Sequence, residues 1–138
     1  MRRAIAAVTL LVPDIDAALA FFVGVLEFEL VEDSVLPSGR RWIRVGPNGD
    51  DSACLRLAHA VSAEERRAVG HQAAGRVFLF LTTDDLGRDY RRLRAAGVRF
   101  TEPPRSEAYG EVAVFVDPFG NRWDLIQPKT GAVPVIPA

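Results

Sequence analysis

Few residues of this chain could carry out chemistry. The sequence contains one cysteine, Cys54, and two histidines, His59 and His71. None of them stands in a pattern typical of a nucleophile with its general base and orienting acid. The glycines occur in predicted turns and form no phosphate-binding motif. We interpret Cys54 as a small buried apolar residue.

One segment, DPFGNRWDLI at residues 117–126, places carboxylates beside and within an apolar strand. Its first four residues have the composition of a tight turn, so we expect Asp117 to hydrogen-bond the local backbone. Asp124 lies between Trp123 and Leu125 in the strand that follows. A carboxylate at such a position can ligate a metal ion or pair with a cation, and the surrounding elements decide between these roles.

The size and charge of the chain limit its functions. With 138 residues it is long enough for one domain with a hydrophobic core. A net charge of -1 argues against a nucleic-acid-binding or membrane-surface protein. The apolar run at residues 4–12 ends at Pro13 without a signal-peptide cleavage site and is too short to span a bilayer. We therefore expect a first strand here and a cytoplasmic protein, in which the single cysteine forms no internal disulfide.

The chain contains an internal repeat. Residues 38–49, SGRRWIRVGPNG, resemble residues 109–120, YGEVAVFVDPFG, since each has glycine at its second position, then an alternating strand, then Pro-x-Gly. An apolar strand follows each copy, at residues 53–58 and at residues 122–127. The repeat predicts two modules with the same order of elements.

Each module begins with a strand that ends in acidic residues and leads into a helix, VTLLVPDID at residues 8–16 and FLFLTTDDL at residues 78–86. We expect Asp14 or Asp16 to cap the first helix, and a strand to follow at residues 28–36. The apolar face predicted for the first helix consists of Ile15, Leu19, Phe22 and Leu26.

The second helix has an equivalent pattern. Its predicted apolar face consists of Leu86, Tyr90 and Leu93. We expect Asp84 or Asp85 to cap this helix and Gly97 to end it in a left-handed conformation. A strand is predicted to follow at residues 98–102.

Each half therefore reads β-α-β-β-β, which predicts an α+β fold. Ser62 followed by Glu65 is a capping-box signal for a short helix between the halves. We expect a single domain over residues 1–138, because neither half is long enough for a stable core alone. Its predicted parts are module 1 (about 4–60), a connection (61–75), module 2 (about 76–128) and an extended tail (129–138).

A duplicated βαβββ module that closes with DPFGNRWDL resembles the vicinal oxygen chelate superfamily, which includes glyoxalase I-like enzymes, extradiol dioxygenases, and fosfomycin- and bleomycin-resistance proteins. The motifs VPDIDAALAFFVGVLEFEL and GVRFTEPPRSEAYGEVAVF carry the same resemblance, which covers about residues 5–128. It implies two tandem modules whose curved mixed sheets form a cleft. In the metal-dependent members, four side chains of that cleft, usually His and Glu, hold a divalent ion that acts as Lewis acid and template.

The resemblance places three of these four ligand positions on residues that cannot bind a metal ion. The first-strand positions fall at Ala7 and at Val77 or Phe78, whose side chains have no donor atom. The last-strand position of module 1 falls at Arg56, a permanent cation. Only Asp124 keeps a ligand-type atom, so we expect no cofactor.

His59 and His71 fall outside the ligand positions of the family. We interpret them as surface or loop histidines. A divalent ion in a non-standard site made of both histidines and an acid stays open as an alternative.

Arg56 and Asp124 hold equivalent positions in the two copies of the repeat. Each takes the opposite face of its strand from its apolar neighbours, and in metal-binding relatives these two positions converge on one ion. We hypothesise that an Arg56–Asp124 ion pair stands where relatives place the metal. The alternative is that both side chains point to solvent, unrelated to each other.

Other residues are predicted to line the ligand-binding cleft with Arg56 and Asp124: Trp42, Arg44, Phe78, Glu107 and Tyr109. Trp42 and Arg44 alternate onto one face of a strand, where Trp42 either stacks on a planar ligand or joins the core. Glu107 and Tyr109 fall in a predicted loop before a strand, and loops often hold binding residues. Phe78 and its neighbour Phe80 supply apolar wall or core.

We expect a small-molecule-binding protein of the glyoxalase/bleomycin-resistance type that lacks the divalent metal site of the family. One alternative is a metal-dependent lyase, isomerase or dioxygenase of the same superfamily. Another is a metal-free enzyme in which Arg56 stabilises an oxyanion, so the sequence leaves open whether the protein is an enzyme. The resemblance implies a homodimer, and no nucleic-acid or membrane partner is expected.

Overall fold

The computed structural model describes residues 2–50 and 52–129. The chain divides into two units, unit 1 (Met1–Val69) and unit 2 (Gly70–Ala138). Each contains helices and one mixed sheet, so the predicted α+β class is confirmed. Apart from Lys129, the predicted tail lies outside the described residues.

Unit 1 contains a four-stranded sheet in which the last strand is central. Strand order is β1-β4-β3-β2, with β1 and β4 parallel and the other pairs antiparallel. The elements are β1 (Ala7–Val12), α1 (Ile15–Leu19), a π-helical turn (Ala20–Val25), β2 (Glu29–Val35), β3 (Arg41–Asp50), β4 (Cys54–His59) and α2 (Ala63–Ala68). The predicted capping box of α2 is present, since Ser62 Oγ accepts from Glu65 N and Glu65 accepts from Ser62 N.

The first helix begins as predicted but changes its period. Asp14 caps α1 by accepting a hydrogen bond from Ala17 N at 2.8 Å. The next turn is wider, because Leu26 N donates to Phe21 O, five residues back. The buried side chains of this segment are Ala18, Phe21, Phe22 and Leu26. Phe22 and Leu26 are therefore buried as the predicted apolar face requires, whereas Ile15 and Leu19 are only half-buried.

The two faces of the unit 1 sheet differ in character. Leu10, Leu57 and Ile43 lie side by side on adjacent strands, and each is fully buried. The next row, Thr9, Arg56 and Arg44, pairs across the same strands, and its side chains point to the other face. One face thus builds the core, and the other carries polar groups.

Unit 2 repeats this arrangement, with its second strand broken in two. Strand order is β5-β9-β8-β6, β5 and β9 are parallel, and β7 also pairs with β8. The elements are β5 (Val77–Thr82), α3 (Leu86–Ala95), β6 (Arg99–Phe100), β7 (Arg105–Glu107), β8 (Gly110–Val116) and β9 (Arg122–Pro128). Asp85 caps α3 by accepting from Arg88 N, and Gly97 follows the helix with φ +90°.

The loop predicted around Glu107 is partly wrong. Glu107 lies in β7, where its Cα is paired with that of Gly110 in β8. Pro103 and Pro104 interrupt the strand because proline cannot donate to a sheet ladder. The chain resumes pairing immediately after them, so Glu107 takes a fixed position on the sheet.

A stack of aromatic rings packs one face of the unit 2 sheet. The Phe115 and Trp123 rings are nearly parallel with centroids 5.5 Å apart, and Phe100 contacts Phe115 edge-on at 5.8 Å. Tyr90 of α3 contacts Phe100 at 4.6 Å, which joins the helix to the sheet. Within residues 2–50 and 52–129, no helix is long and apolar enough to cross a membrane.

Candidate functional site

Asp117 fixes the turn that leads into β9. Its Oδ1 accepts hydrogen bonds from Phe119 N (2.9 Å) and Asn121 N (3.0 Å). Its Oδ2 accepts from Asn121 Nδ2 (2.9 Å) and Trp123 Nε1 (3.1 Å). The prediction that Asp117 bonds the local backbone is confirmed, and the contact with Trp123 further ties the turn to the core of unit 2.

Asp124 lies in β9 and has a buried carboxyl group, one oxygen of which lacks a hydrogen-bond partner in the described part of unit 2. Only 6% of the residue is exposed, and Oδ1 has no hydrogen-bond donor among the described residues of unit 2. Burial raises the pKa of Asp124 above its ordinary value, the Arg105 cation opposes the increase, and Glu102 adds to it. Asp124 is therefore a polar group that a hydrogen-bond donor from outside unit 2 would stabilise.

A cleft of about 510 Å³ opens beside Asp124 within unit 2. Phe80 pairs with Asp124 across β5 and β9, and 52% of the residue is exposed, which is unusual for phenylalanine. The residues that give this cleft its chemistry are Phe80, Arg105, Glu107, Tyr109, Arg122 and Asp124. The structure thus brings together the predicted residues Glu107, Tyr109 and Asp124.

Phe78, also predicted for the cleft, lines a separate cavity of about 260 Å³ that includes His71 and Arg122. The register between β5 and β9 shifts between Val77 and Leu79, so Phe78 is the extra residue of a β-bulge. The bulge breaks the alternation that would have placed Phe78 and Phe80 on one face. In unit 2, Phe80 therefore occupies the position beside Asp124.

Arg105, which the sequence did not single out, holds the polar rim of the unit 2 cleft. Its Nε donates to Glu107 Oε1 at 2.8 Å, and Nη1 contacts Glu102. The two acids on either side raise the pKa of the Arg105 guanidinium, Glu107 most strongly. An arginine and a glutamate two residues apart on one strand share a face, but only the observed pairing of β7 with β8 shows that this face borders Asp124.

In unit 1, Glu32 organises the predicted residues Trp42 and Arg44. Glu32 Oε1 accepts from Trp42 Nε1 at 2.8 Å and from Arg44 Nε at 2.9 Å. The Arg56 guanidinium lies over the Trp42 ring, 4.8 Å from its centroid. Trp42, Arg44 and Arg56, all predicted for the cleft, thus lie together in unit 1. Glu32 was missed because its role depends on the register of β2 against β3.

Arg56 has an unsatisfied donor. Its Nε is buried and has no hydrogen-bond acceptor among the described residues of unit 1. Asp124 belongs to the other unit, so the Arg56–Asp124 ion pair stays a prediction. His59 ends β4 and His71 lies in the connection, and both are exposed, as predicted.

Residues 4–125 match the family model described as the Glyoxalase/Bleomycin resistance protein/Dioxygenase superfamily. The chain belongs to this superfamily. A relative from Shewanella frigidimarina, described as an uncharacterized protein, is 45% identical over 92% of this chain and 95% of its own length.

Two solved structures are similar to this chain over most of its length. UcmS2 is 30% identical, with a TM-score of 0.78, over 91% of this chain and 98% of its own. TnmS3 from Streptomyces sp. CB03234, described as an antibiotic binding protein, is 30% identical with a TM-score of 0.73, over 94% of this chain and 98% of its own. Both likenesses therefore extend well beyond a single motif.

The residues at the metal-ligand positions of the superfamily do not fit a divalent ion in this chain. Ala7 has no donor atom, and Arg56 is a cation stacked on Trp42. Among residues 2–50 and 52–129, no three His, Cys, Asp or Glu side chains are grouped so that they could hold a metal ion.

The environment of Asp124 predicts a pH-dependent stability. The pKa of Asp124 in the folded protein is raised above the ordinary 3.8. Between the ordinary and the raised pKa, the folded protein retains a proton that the unfolded chain releases, so its stability falls as the pH rises through this range. Asp124→Asn is expected to be more stable than the wild type at pH 7, and the difference should vanish below the ordinary pKa. Urea unfolding at several pH values measures this, and a variant less stable than the wild type at pH 7 would contradict the prediction.

Proposed function

We propose that this protein binds a small molecule without a divalent metal, as a binder of the bleomycin-resistance type. The observation that supports this most is the unit 2 cleft, where an exposed Phe80 ring stands beside the buried, unsatisfied Asp124. An apolar surface with a few fixed polar groups is the usual composition of a ligand site. The volume of about 510 Å³ also lies in the range of such sites.

The proposed ligand is an aromatic molecule of the antibiotic type that carries a hydrogen-bond donor. Phe80 and Tyr109 line the cleft, and their aromatic rings could stack on such a ligand. Asp124 Oδ1 would accept the donor, and the Arg105–Glu107 pair would orient the polar edge of the ligand. The description of TnmS3 as an antibiotic binding protein supports this ligand class.

Two further features belong to the proposal. Exposed apolar side chains, among them Ile5, Val35 and Val61, support a homodimer, and elution as a monomer in size-exclusion chromatography at high concentration would count against it. A chain with a single cysteine is suited to the cytoplasm.

Metal analysis separates this proposal from a metal-dependent enzyme. Purified protein is expected to contain no near-stoichiometric divalent ion, and dialysis against EDTA should leave its melting temperature unchanged, because no metal would contribute to the folded state. A near-stoichiometric ion whose removal lowers the melting temperature, or whose return starts turnover of a substrate, would overturn the proposal.

Ligand binding is tested by thermal shift with a panel of aromatic antibiotics. A ligand selective for the folded state at about 100 times its Kd stabilises by roughly 2.7 kcal/mol, which raises the melting temperature by several degrees. Phe80→Ala should reduce that shift, whereas Leu30→Ala, which removes an exposed apolar side chain of unit 1, should not. Equal shifts in both variants would place the ligand elsewhere.

A further inference from the structure

Unit 1 contains a cavity of its own, of about 370 Å³. Its apolar wall is formed by residues of β1, α1 and β4, including Leu11, Ile15 and Ala58. Its polar residues are mostly cationic or neutral and include Thr9, Arg40, Arg41, Arg56 and His59. A cavity of this size with one apolar and one cationic side suits a small amphipathic ligand.

The acids near this cavity already have partners. Glu65 is its one acidic lining residue among the described residues, and its Oε1 accepts from Val61 N and Ser62 N, each at 3.0 Å. These backbone hydrogen bonds lower the pKa of Glu65, so it stays a carboxylate fixed at the start of α2. Asp33 accepts from Arg41 at 3.0 Å, which neutralises that arginine. Among the arginines that line the cavity, Arg56 and Arg40 have no hydrogen-bonded acid within the described residues, and Arg40 acts on Glu65 only through its charge.

Arg56 is held in place before any ligand arrives. Its guanidinium lies over Trp42, and the indole N–H of Trp42 is fixed by Glu32 at 2.8 Å. A guanidinium stacked in this way loses little freedom when it binds an anion. The buried Nε lacks an acceptor in unit 1, and an unsatisfied buried donor is costly.

We propose that the unit 1 cavity binds an amphipathic organic anion, whose carboxylate or sulfonate pairs with Arg56 and Arg40 while its apolar body packs against Leu11 and Ile15. The inference rests on the proposed function in one respect, since both require that the protein bind small molecules. A cation would be repelled by the arginines. A neutral apolar ligand would leave Arg56 without an acceptor, and inorganic phosphate would leave the apolar wall uncovered.

The test compares two fluorescent probes that differ in one charged group. The first is 1-anilinonaphthalene-8-sulfonate, and the second is N-phenyl-1-naphthylamine, its neutral counterpart without the sulfonate. Wild-type protein is expected to bind the sulfonate more tightly, and its affinity should fall as salt rises. Arg56→Gln should weaken sulfonate binding about tenfold and leave the neutral probe within about twofold, because only the charge-assisted bonds are lost.

A matched variant controls for the general loss of a positive charge. Arg91→Gln removes an exposed arginine of α3 in unit 2 and should leave both affinities unchanged. Far-UV circular dichroism and urea unfolding show whether Arg56→Gln is folded, since partly unfolded protein also binds the sulfonate probe. If it is not folded, Arg40→Gln takes its place, and a loss of about threefold for the sulfonate is expected from this exposed cation.

The outcomes separate this inference from the proposed function. Equal sulfonate affinity in the wild type and Arg56→Gln overturns the inference, as does an equal loss of both probes. Sulfonate binding that is lost in Phe80→Ala but kept in Arg56→Gln also overturns it, while the proposed unit 2 site stands. If no antibiotic shifts the melting temperature but Arg56→Gln still discriminates the probes, the proposed antibiotic site of unit 2 fails and the inference holds.

Discussion

Replacing Gly110 by alanine is expected to destabilise unit 2 by more than about 3 kcal/mol. Gly110 has φ +151°, and a Cβ atom built on it would lie 2.2 Å from Gln127 O and 3.0 Å from Pro128 Cα. Both contacts are with the backbone of β9, so no side-chain rotation can relieve them. The sheet would have to separate at the pairing of Gly110 with Pro128. Urea unfolding followed by tryptophan fluorescence measures the loss, because Trp123 lies in the core of this unit.

The internal repeat provides a matched control for this variant. Gly39 occupies the equivalent position of the first module, has φ +84°, and would meet nothing within 4 Å if it gained a Cβ. Gly39→Ala should therefore cost only the backbone strain of a left-handed alanine, about 1 kcal/mol. Similar losses in the two variants would show that φ, and not the contact with β9, makes glycine necessary at position 110.

Asp117→Asn is expected to cost about 2 to 3 kcal/mol although the two side chains have nearly the same shape. Asparagine can keep one oxygen for the backbone N–H groups of Phe119 and Asn121. Its amide nitrogen would then face two donors, Asn121 Nδ2 and Trp123 Nε1, which bond Oδ2 at 2.9 and 3.1 Å. Asn121 can turn its amide to offer an oxygen, but the indole has only a donor and would stay buried without an acceptor.

The control for Asp117→Asn is Asp84→Asn. Asp84 is exposed and its partner is Arg88, at 2.9 Å, so the urea midpoint should hardly move. The denaturant slope should also be unchanged in both variants, since neither alters the surface exposed on unfolding. An Asp117→Asn protein as stable as the wild type would show that the turn holds without its carboxylate.

The elements that sequence predicts well are those set by local chemistry. The caps at Asp14 and Asp85, the capping box at Ser62 and the turn at Asp117 each depend on residues within a few positions of each other, and all are observed. The strands follow from apolar alternation in both copies of the repeat. The fold was therefore predictable from short segments together with their duplication.

The candidate site was less predictable because it depends on register. The bulge at Phe78 puts Phe80 beside Asp124. One extra residue cannot be recognised in a strand whose sequence is apolar throughout. The shift between Leu30 and Glu32 sets Glu32 against Arg44 in the same way. The wider helical turn before Leu26 was not predictable either. A change from four to five residues between hydrogen-bonded groups follows from packing and not from residue type.

The central position of the last strand in each unit also governs how the chain can fold during synthesis. In unit 1, every pair of β1 with β4 joins residues 47 positions apart, from Ala7↔Cys54 to Val12↔His59. Until β4 leaves the ribosome, β1 has no partner in its sheet and β3 has an open edge. The same holds for β5 and β8 until β9 is made. Each unit is therefore completed when its last strand pairs with two strands that were made earlier. A chain that ends before β9 leaves two unpaired strand edges, with which strands of other molecules can pair.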